Sequence, residues 1–211
     1  MDRISTQQLR AALLCAAEQI IQAEPCLTEI DTLIGDGDHG TGMKAGFSAL
    51  RERLLTQEDQ TPYDLLHGAG LCLVRSMGGA SGVLFGTLLI GGLDQLRHGD
   101  GLTARELVAF LGKGVEAIQR RGKAMPGDKT MVDALLPAAR AMEAELERSG
   151  DIPGILREAH RAALEGVEST KAMLPRLGRS KNFREKAIGH PDPGAVSVSI
   201  LFKGLYEGVP Q

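Results

Sequence analysis

The chain has 211 residues, with 24 Lys and Arg against 27 Asp and Glu, 43% hydrophobic and 3% aromatic residues and no Trp. That length fits one large domain or two small ones. The acidic balance leaves no basic footprint for nucleic acid, and the longest nearly unbroken apolar run, Val83 to Leu93, is too short to span a bilayer.

Three cysteines, Cys15, Cys26 and Cys72, have no metal or redox spacing, and Met1-Asp2-Arg3-Ile4-Ser5 has no signal-peptide pattern, so a cytoplasmic protein with reduced thiols is expected. The balance of 29 Leu and 24 Ala against 9 Val favours an all-α fold. The 27 Gly run against it, since Gly costs a helix interior roughly 1 kcal/mol relative to Ala.

In chain order, Ser5-x-x-Gln8 reads as a capping box, and Leu9, Leu13, Ala16 and Ile20 keep one face apolar until Pro25. A short helix follows through Leu27, Ile30 and Ile34, and a third is marked by Met43, Phe47, Leu50 and Leu54. Thr61-Pro62 opens the next, to about Arg75. Val83 to about Arg97 is apolar nearly all round and reads as central. Thr103-x-x-Glu106 caps another helix, Thr130-x-x-Asp133 starts one with Pro137 as a kink, and Asp151 with Pro153 opens one ending near Pro175. Residues 195–200 alternate like a strand, but Asp192-Pro193 is a helix start and Leu201, Phe202 and Leu205 suit a helix, which is the reading adopted. The total is eight long helices and one short one. With no repeat or linker, residues 1–211 read as a single domain.

Four Gly-rich polar stretches interrupt this rhythm. In the first, from Asp31 to Met43, Asp31, Asp36 and Asp38 fall within eight residues. Carboxylates so close suit Mg²⁺, or form a solvated acidic turn with Asp38 as a helix cap. Gly35, Gly37 and Gly40 also spell G-x-G-x-x-G, but no strand precedes them, and two Asp inside the loop would repel a bare pyrophosphate. The second stretch, Ser76 to Gly82, is an anion site at a helix start or a plain turn. The third is Arg121 to Met131. The fourth runs from Arg176 to Ala195 and begins with Arg176, Arg179, Lys181, Arg184 and Lys186 against a single acid, either a solvated loop or cations that reach a polyphosphate. His39 could bind metal, contact phosphate or cap a helix; His67, His98 and His160 read as bystanders. No nucleophile set or HEXXH motif is present.

In this order, Ile34-Gly35-Asp36-Gly37-Asp38-His39-Gly40, Gly78-Gly79-Ala80-Ser81-Gly82, Pro126-Gly127-Asp128-Lys129-Thr130-Met131 and Gly189-His190-Pro191-Asp192-Pro193-Gly194 resemble the nucleotide-binding L subunits of dihydroxyacetone kinases. The resemblance covers nearly the whole chain. It implies an antiparallel eight-helix barrel with ADP or ATP at one end. It implies that Asp31, Asp36 and Asp38 hold two Mg²⁺. Nucleotide contacts would then fall to His39, Gly40, Thr41, Gly42, Ala80, Ser81, Gly122, Met131 (against adenine), Arg179, Asp192, Pro193 and Gly194. It implies phosphoryl transfer without a protein nucleophile on this chain, to a short-chain ketose held by a K subunit. The donor is a phosphohistidine on an M subunit of the phosphotransferase system in some members and free ATP in others. Gly42 stands where the family often has Asn, and Val83 where it often has Pro. The alternatives are another acceptor, such as a different small sugar or the acyl group of fatty-acid kinases, or a nucleotide-loaded adaptor for a transcription regulator. A metal phosphohydrolase would need more His or carboxylate ligands than the sequence offers.

Overall fold

A computed structural model describes residues 1–97 and 99–210, so the expectation for His98 lies outside the described residues. Nine α-helices occur among them: α1 (Thr6–Gln22), α2 (Glu24–Ile34), α3 (His39–Thr56), α4 (Pro62–Ser76), α5 (Gly79–Ile90), α6 (Ala104–Gly122), α7 (Val132–Arg148), α8 (Ile152–Thr170) and α9 (Pro193–Gly208). Most begin where the sequence marks a cap. The Ser5/Gln8 and Thr103/Glu106 boxes are both complete. Thr61, Asp151 and Asp192 each accept an N–H from the first turn that follows. The ambiguous segment 195–200 is helical within α9, and both faces of its polar alternation are absorbed: Ser197 and Ser199 are buried and bond to the carbonyls of Pro193 and Val196.

Three boundaries differ from expectation. The central apolar helix begins at Gly79 and stops at Ile90. Two residues on, Gly92 lies against α6, where an added Cβ would come within 2.0 Å of the Phe110 carbonyl oxygen. The chain then turns through a short 3₁₀ segment, Leu93–Gln95. Helix α8 ends at Thr170, five residues before Pro175, where its carbonyl accepts from the Lys129 ammonium and the Met173 N–H. The Asp133 carboxylate reaches back to the Thr130 N–H and also to that of Gly127, but α7 begins only at Val132, two residues after the expected cap. A two-stranded antiparallel ladder was not anticipated: β1 (Arg3–Ser5) pairs with β2 (Gly101–Thr103), burying Ile4 opposite Leu102. Three residues are too few to show period-2 alternation in sequence.

Eight helices form a closed ring. Neighbours run α1, α3, α4, α5, α6, α7, α8, α9 and back to α1, while α2 lies outside against α3 and α9. The interior is filled from all sides, including Phe47 of α3 edge-to-face on Phe85 of α5 at 6.0 Å, with Phe110 and Phe202 also buried. Because ring neighbours are antiparallel, α3, α5, α7 and α9 all start at one rim. The C-terminal ends of α2, α6 and α8 meet them there.

Candidate functional site: an acidic and apolar cavity at one rim of the ring

That rim holds a cavity of about 1040 Å³. Asp31, Asp36, Asp38, His39, Thr41, Gly42, Ala80, Ser81, Gly122, Met131, Arg179, Asp192, Pro193 and Gly194 all line it. These residues are up to 163 positions apart in sequence, from Asp31 to Gly194, and the ring alone brings them together. Gly40 is different. It faces away, packed on α2 so tightly that a Cβ would lie 2.2 Å from Thr28 Oγ1 and 2.4 Å from the Glu24 carbonyl oxygen. Its part is to let α3 start against α2.

One ligand atom from each of Asp31, Asp36 and Asp38 lies within 4.8 Å of the others. Asp31 is buried at the end of α2, and its Oδ2 accepts the His39 N–H at 3.1 Å. Asp38 occupies the cap position of α3 but makes no side-chain cap bond, which leaves its carboxylate facing the other two. Burial first, then the Asp36 carboxylate and more weakly Asp31, push the Asp38 carboxyl above its ordinary range. Arg179 opposes this, with its Nε 2.8 Å from Asp36 Oδ2. The turn is held by Gly37 at φ +76°. Three hard oxygen donors at this spacing fit Mg²⁺, which takes carboxylates while keeping room for water and phosphate.

Beside the carboxylates the helix starts supply the opposite sign. Gly78 caps α5 without a side chain, so the N–H groups of the first turn of α5 are open to the cavity. With α3, α7 and α9 starting at the same rim, four positive helix ends converge on one space, an arrangement suited to phosphate oxygens. His39 ties two of these helices to a third. Its Nε2 is 2.8 Å from Ser197 Oγ, and its Nδ1 is 3.3 Å from Ser81 Oγ. Since the Ser197 hydroxyl donates to the Pro193 carbonyl, Nε2 donates to Ser197 and Nδ1 accepts from Ser81. Burial keeps the imidazole below its ordinary pKa and therefore neutral, against the pull of Asp31.

The other half of the cavity is apolar: Val83, Leu84, Ile118, Ala124, Met131 and Leu177. Sequence reasoning named only Met131 of these; the all-round apolar run after Gly82 and the stripe on α6 were the available signals. Of the five cations between Arg176 and Lys186, Arg179 and Lys181 line the cavity, while Arg176 leans toward Asp128 at 3.9 Å.

Asp192, unlike the exposed Asp36 and Asp38, is insulated from water. Burial pushes its carboxyl up to about 7, although the Ala195 N–H and Lys129 favour the charged form. The folded chain therefore binds a proton here that an unfolded Asp, near pH 4, has already lost. Stability contributed by this group falls as pH rises from about 4 to about 7. Asp192→Asn keeps the cap acceptor without the charge. It is expected to flatten the decline of the thermal midpoint between pH 5 and 8, measured by circular dichroism. An unchanged slope would contradict the insulation.

Residues 33–207 match the DAK2 domain family. The chain belongs to that family. Within it the chain is of DhaL type, among the kinase subunits. It is 38% identical over 85% of its length, and 85% of the relative's, to the ADP-binding subunit DhaL of the PEP-dependent dihydroxyacetone kinase of Escherichia coli. To the subunit of the same name from Listeria innocua it is 32% identical over 90% of both chains. A D-erythrulose kinase of Mycolicibacterium smegmatis is 35% identical, but the chain covers only 36% of it. Among solved structures, the dihydroxyacetone kinase of C. freundii in complex with AMP-PNP and Mg²⁺ superposes with a TM-score of 0.74 at 26% identity. It covers 98% of this chain and is itself covered over 35%.

Proposed function

We propose that the rim cavity holds Mg²⁺–ADP or Mg²⁺–ATP, and that residues 1–211 act as one DhaL-type domain, the nucleotide-carrying subunit of a dihydroxyacetone-type kinase. The observation that carries this reading is the convergence in one cavity of three mutually close carboxylates, four helix starts and an apolar wall. A metal polyphosphate needs the first two and a purine the third. Asp31, Asp36 and Asp38 would hold the metal, two ions in this reading, and the metal when bound neutralises charge on the transferring phosphoryl group. The open N–H groups of Ala80 and Ser81, with Thr41, Gly42 and Arg179, face the phosphates. Pro193 and Gly194 close the cavity beside Asp192. Gly122 and Met131 flank the base, with Leu84 and Ile118. No side chain of the cavity is placed as a nucleophile, so the γ-phosphoryl group passes directly to its acceptor.

The acceptor in this reading is a short-chain ketose on a K-type partner in the cytoplasm. The likeness to the PEP-dependent DhaL subunits supports recharging of bound ADP by a phosphohistidine protein of M type. A second reading, another small ketose, is favoured by the erythrulose kinases among the relatives. No helix among the described residues is long and apolar enough to cross a membrane. The test is titration calorimetry with ADP. Binding at micromolar to millimolar concentration is expected with Mg²⁺ and its loss with a chelator. No heat at millimolar nucleotide with Mg²⁺ present would refute the reading.

A further inference from the structure

The largest buried polar side chain lining the cavity belongs to a residue that the nucleotide reading does not use. Lys129 is fully buried, and its backbone sits in the left-handed region at φ +59°. A β-carbon in that region is strained, and such positions persist only where the surroundings hold them. Here the holder is the side chain itself. Its Nζ donates to the carbonyl of Thr170 at 2.5 Å and to the carbonyl of His190 at 2.6 Å. Thr170 is the last residue of α8; the His190 carbonyl leads into the cap of α9. The same two segments are joined again by the Asp192 N–H, which donates to Thr170 Oγ1 at 3.0 Å.

Among the described residues, Lys129 is thus the one side chain whose hydrogen bonds link the loop after α6 to both the end of α8 and the approach to α9. Its own loop is fixed locally by carboxylates: Asp128 accepts from Met125 N–H, and Asp133 accepts from the N–H groups of Gly127 and Thr130. Two residues past Lys129 stands Met131, and two past Asp192 stands Gly194. These two cavity residues meet: a Cβ on Gly194 would lie 3.3 Å from Met131 Cβ. The lysine bridge, which lines the cavity beside them, ties the α7 start to the α9 start.

We propose that Lys129 is a positioning residue of the nucleotide site, a buried bridge that fixes the start of α9 against Met131 so that the base wall and the phosphate end form one cavity. The proposal rests on the nucleotide reading above. Removing the ammonium takes a donor from both carbonyls: Thr170 O keeps only the Met173 N–H, and the part-buried His190 carbonyl recovers a partner by moving the 188–194 segment toward water. The cavity then loses its floor while the carboxylate cluster on α2 and α3 stays intact.

The test compares Lys129→Met with Asp59→Asn, measuring Mg²⁺–ADP affinity by calorimetry at a temperature where both are fully folded. Asp59 lies beyond the far end of α3, where Arg53 grips it through both nitrogens and Arg10 joins them, so its loss destabilises the ring without touching the cavity. Lys129→Met is expected to weaken Mg²⁺–ADP binding tenfold or more. It should also accelerate amide hydrogen exchange at Ala195, whose N–H reports the α9 cap. Asp59→Asn should change neither. If Lys129→Met does not fold, Lys129→Gln, one atom shorter and unable to hold both carbonyls at once, carries the same comparison. Affinity within twofold of the unsubstituted chain in the folded variant would overturn the proposal, as would equal weakening in Asp59→Asn. Failure of the unsubstituted chain to bind Mg²⁺–ADP would instead sink the nucleotide reading and this inference with it.

Discussion

Asp38→Asn should weaken Mg²⁺–nucleotide binding on the order of a hundredfold, a loss near 2.7 kcal/mol, while making the ligand-free protein slightly more stable. The two effects have one cause. Without a cation, Asp38 stands beside Asp36 and Asp31 with its carboxyl driven upward by burial and by their charge. Removing one charge relieves that repulsion. With a cation the same closeness becomes the binding site, and an amide oxygen cannot replace the lost charge. Calorimetry with Mg²⁺–ADP gives the first effect and the ligand-free thermal midpoint the second. Affinity retained within a few fold would exclude Asp38 as a metal ligand. A lowered midpoint would show that the carboxylate serves the fold instead. The design isolates Asp38 because it makes no side-chain cap bond to α3, so no helix start is lost with it.

Gly204→Val is expected to have the largest effect on the fold. Gly204 of α9 rests on α1 where the ring closes, and a Cβ there would lie 2.3 Å from Ala16 Cα and 2.7 Å from Ala16 N. Backbone cannot yield as a flexible side-chain end can, so α9 has to lift from α1. A cost of about 3 kcal/mol corresponds to roughly 6–12 °C in the thermal midpoint for a chain of this size. Gly112→Ala in α6 is the contrasting case. Nothing lies within 4 Å of a Cβ there, and the substitution should stabilise by up to about 1 kcal/mol through helix propensity. If both variants melted alike, close packing would not be the reason for glycine at the α1–α9 contact.

These glycines show which parts of the molecule could be read beforehand. Helix starts were visible because Ser5, Thr61, Thr103, Asp151 and Asp192 act through atoms three or fewer residues away, a local signal. Helix ends that meet distant partners were not. Gly92, just past α5, packs on Phe110, and the Thr170 carbonyl at the end of α8 accepts from Lys129. The carboxylate cluster was visible as a run of Asp, yet the same run allowed a solvated turn; only the closeness of Asp31 across the α2–α3 corner favours a metal. The apolar wall from Leu84 and Ile118 was hidden, because a residue that lines a cavity and one that fills a core look identical in a helical stripe. Gly40, placed by its motif among the expected nucleotide contacts, lies outside the cavity lining and allows α3 to pack closely on α2.

The closure of the ring between α1 and α9 has a consequence for the order in which the molecule assembles. Seven of the eight staves can stack on their sequence neighbours as they leave the ribosome, but α1 waits for its second partner until α9 has been made. Asp192, Pro193 and Gly194 belong to that same last stave, so the cavity gains its final wall at the moment the ring shuts. A ligand held there binds only the shut form and draws the population toward it by mass action, in proportion to the logarithm of its concentration over its dissociation constant.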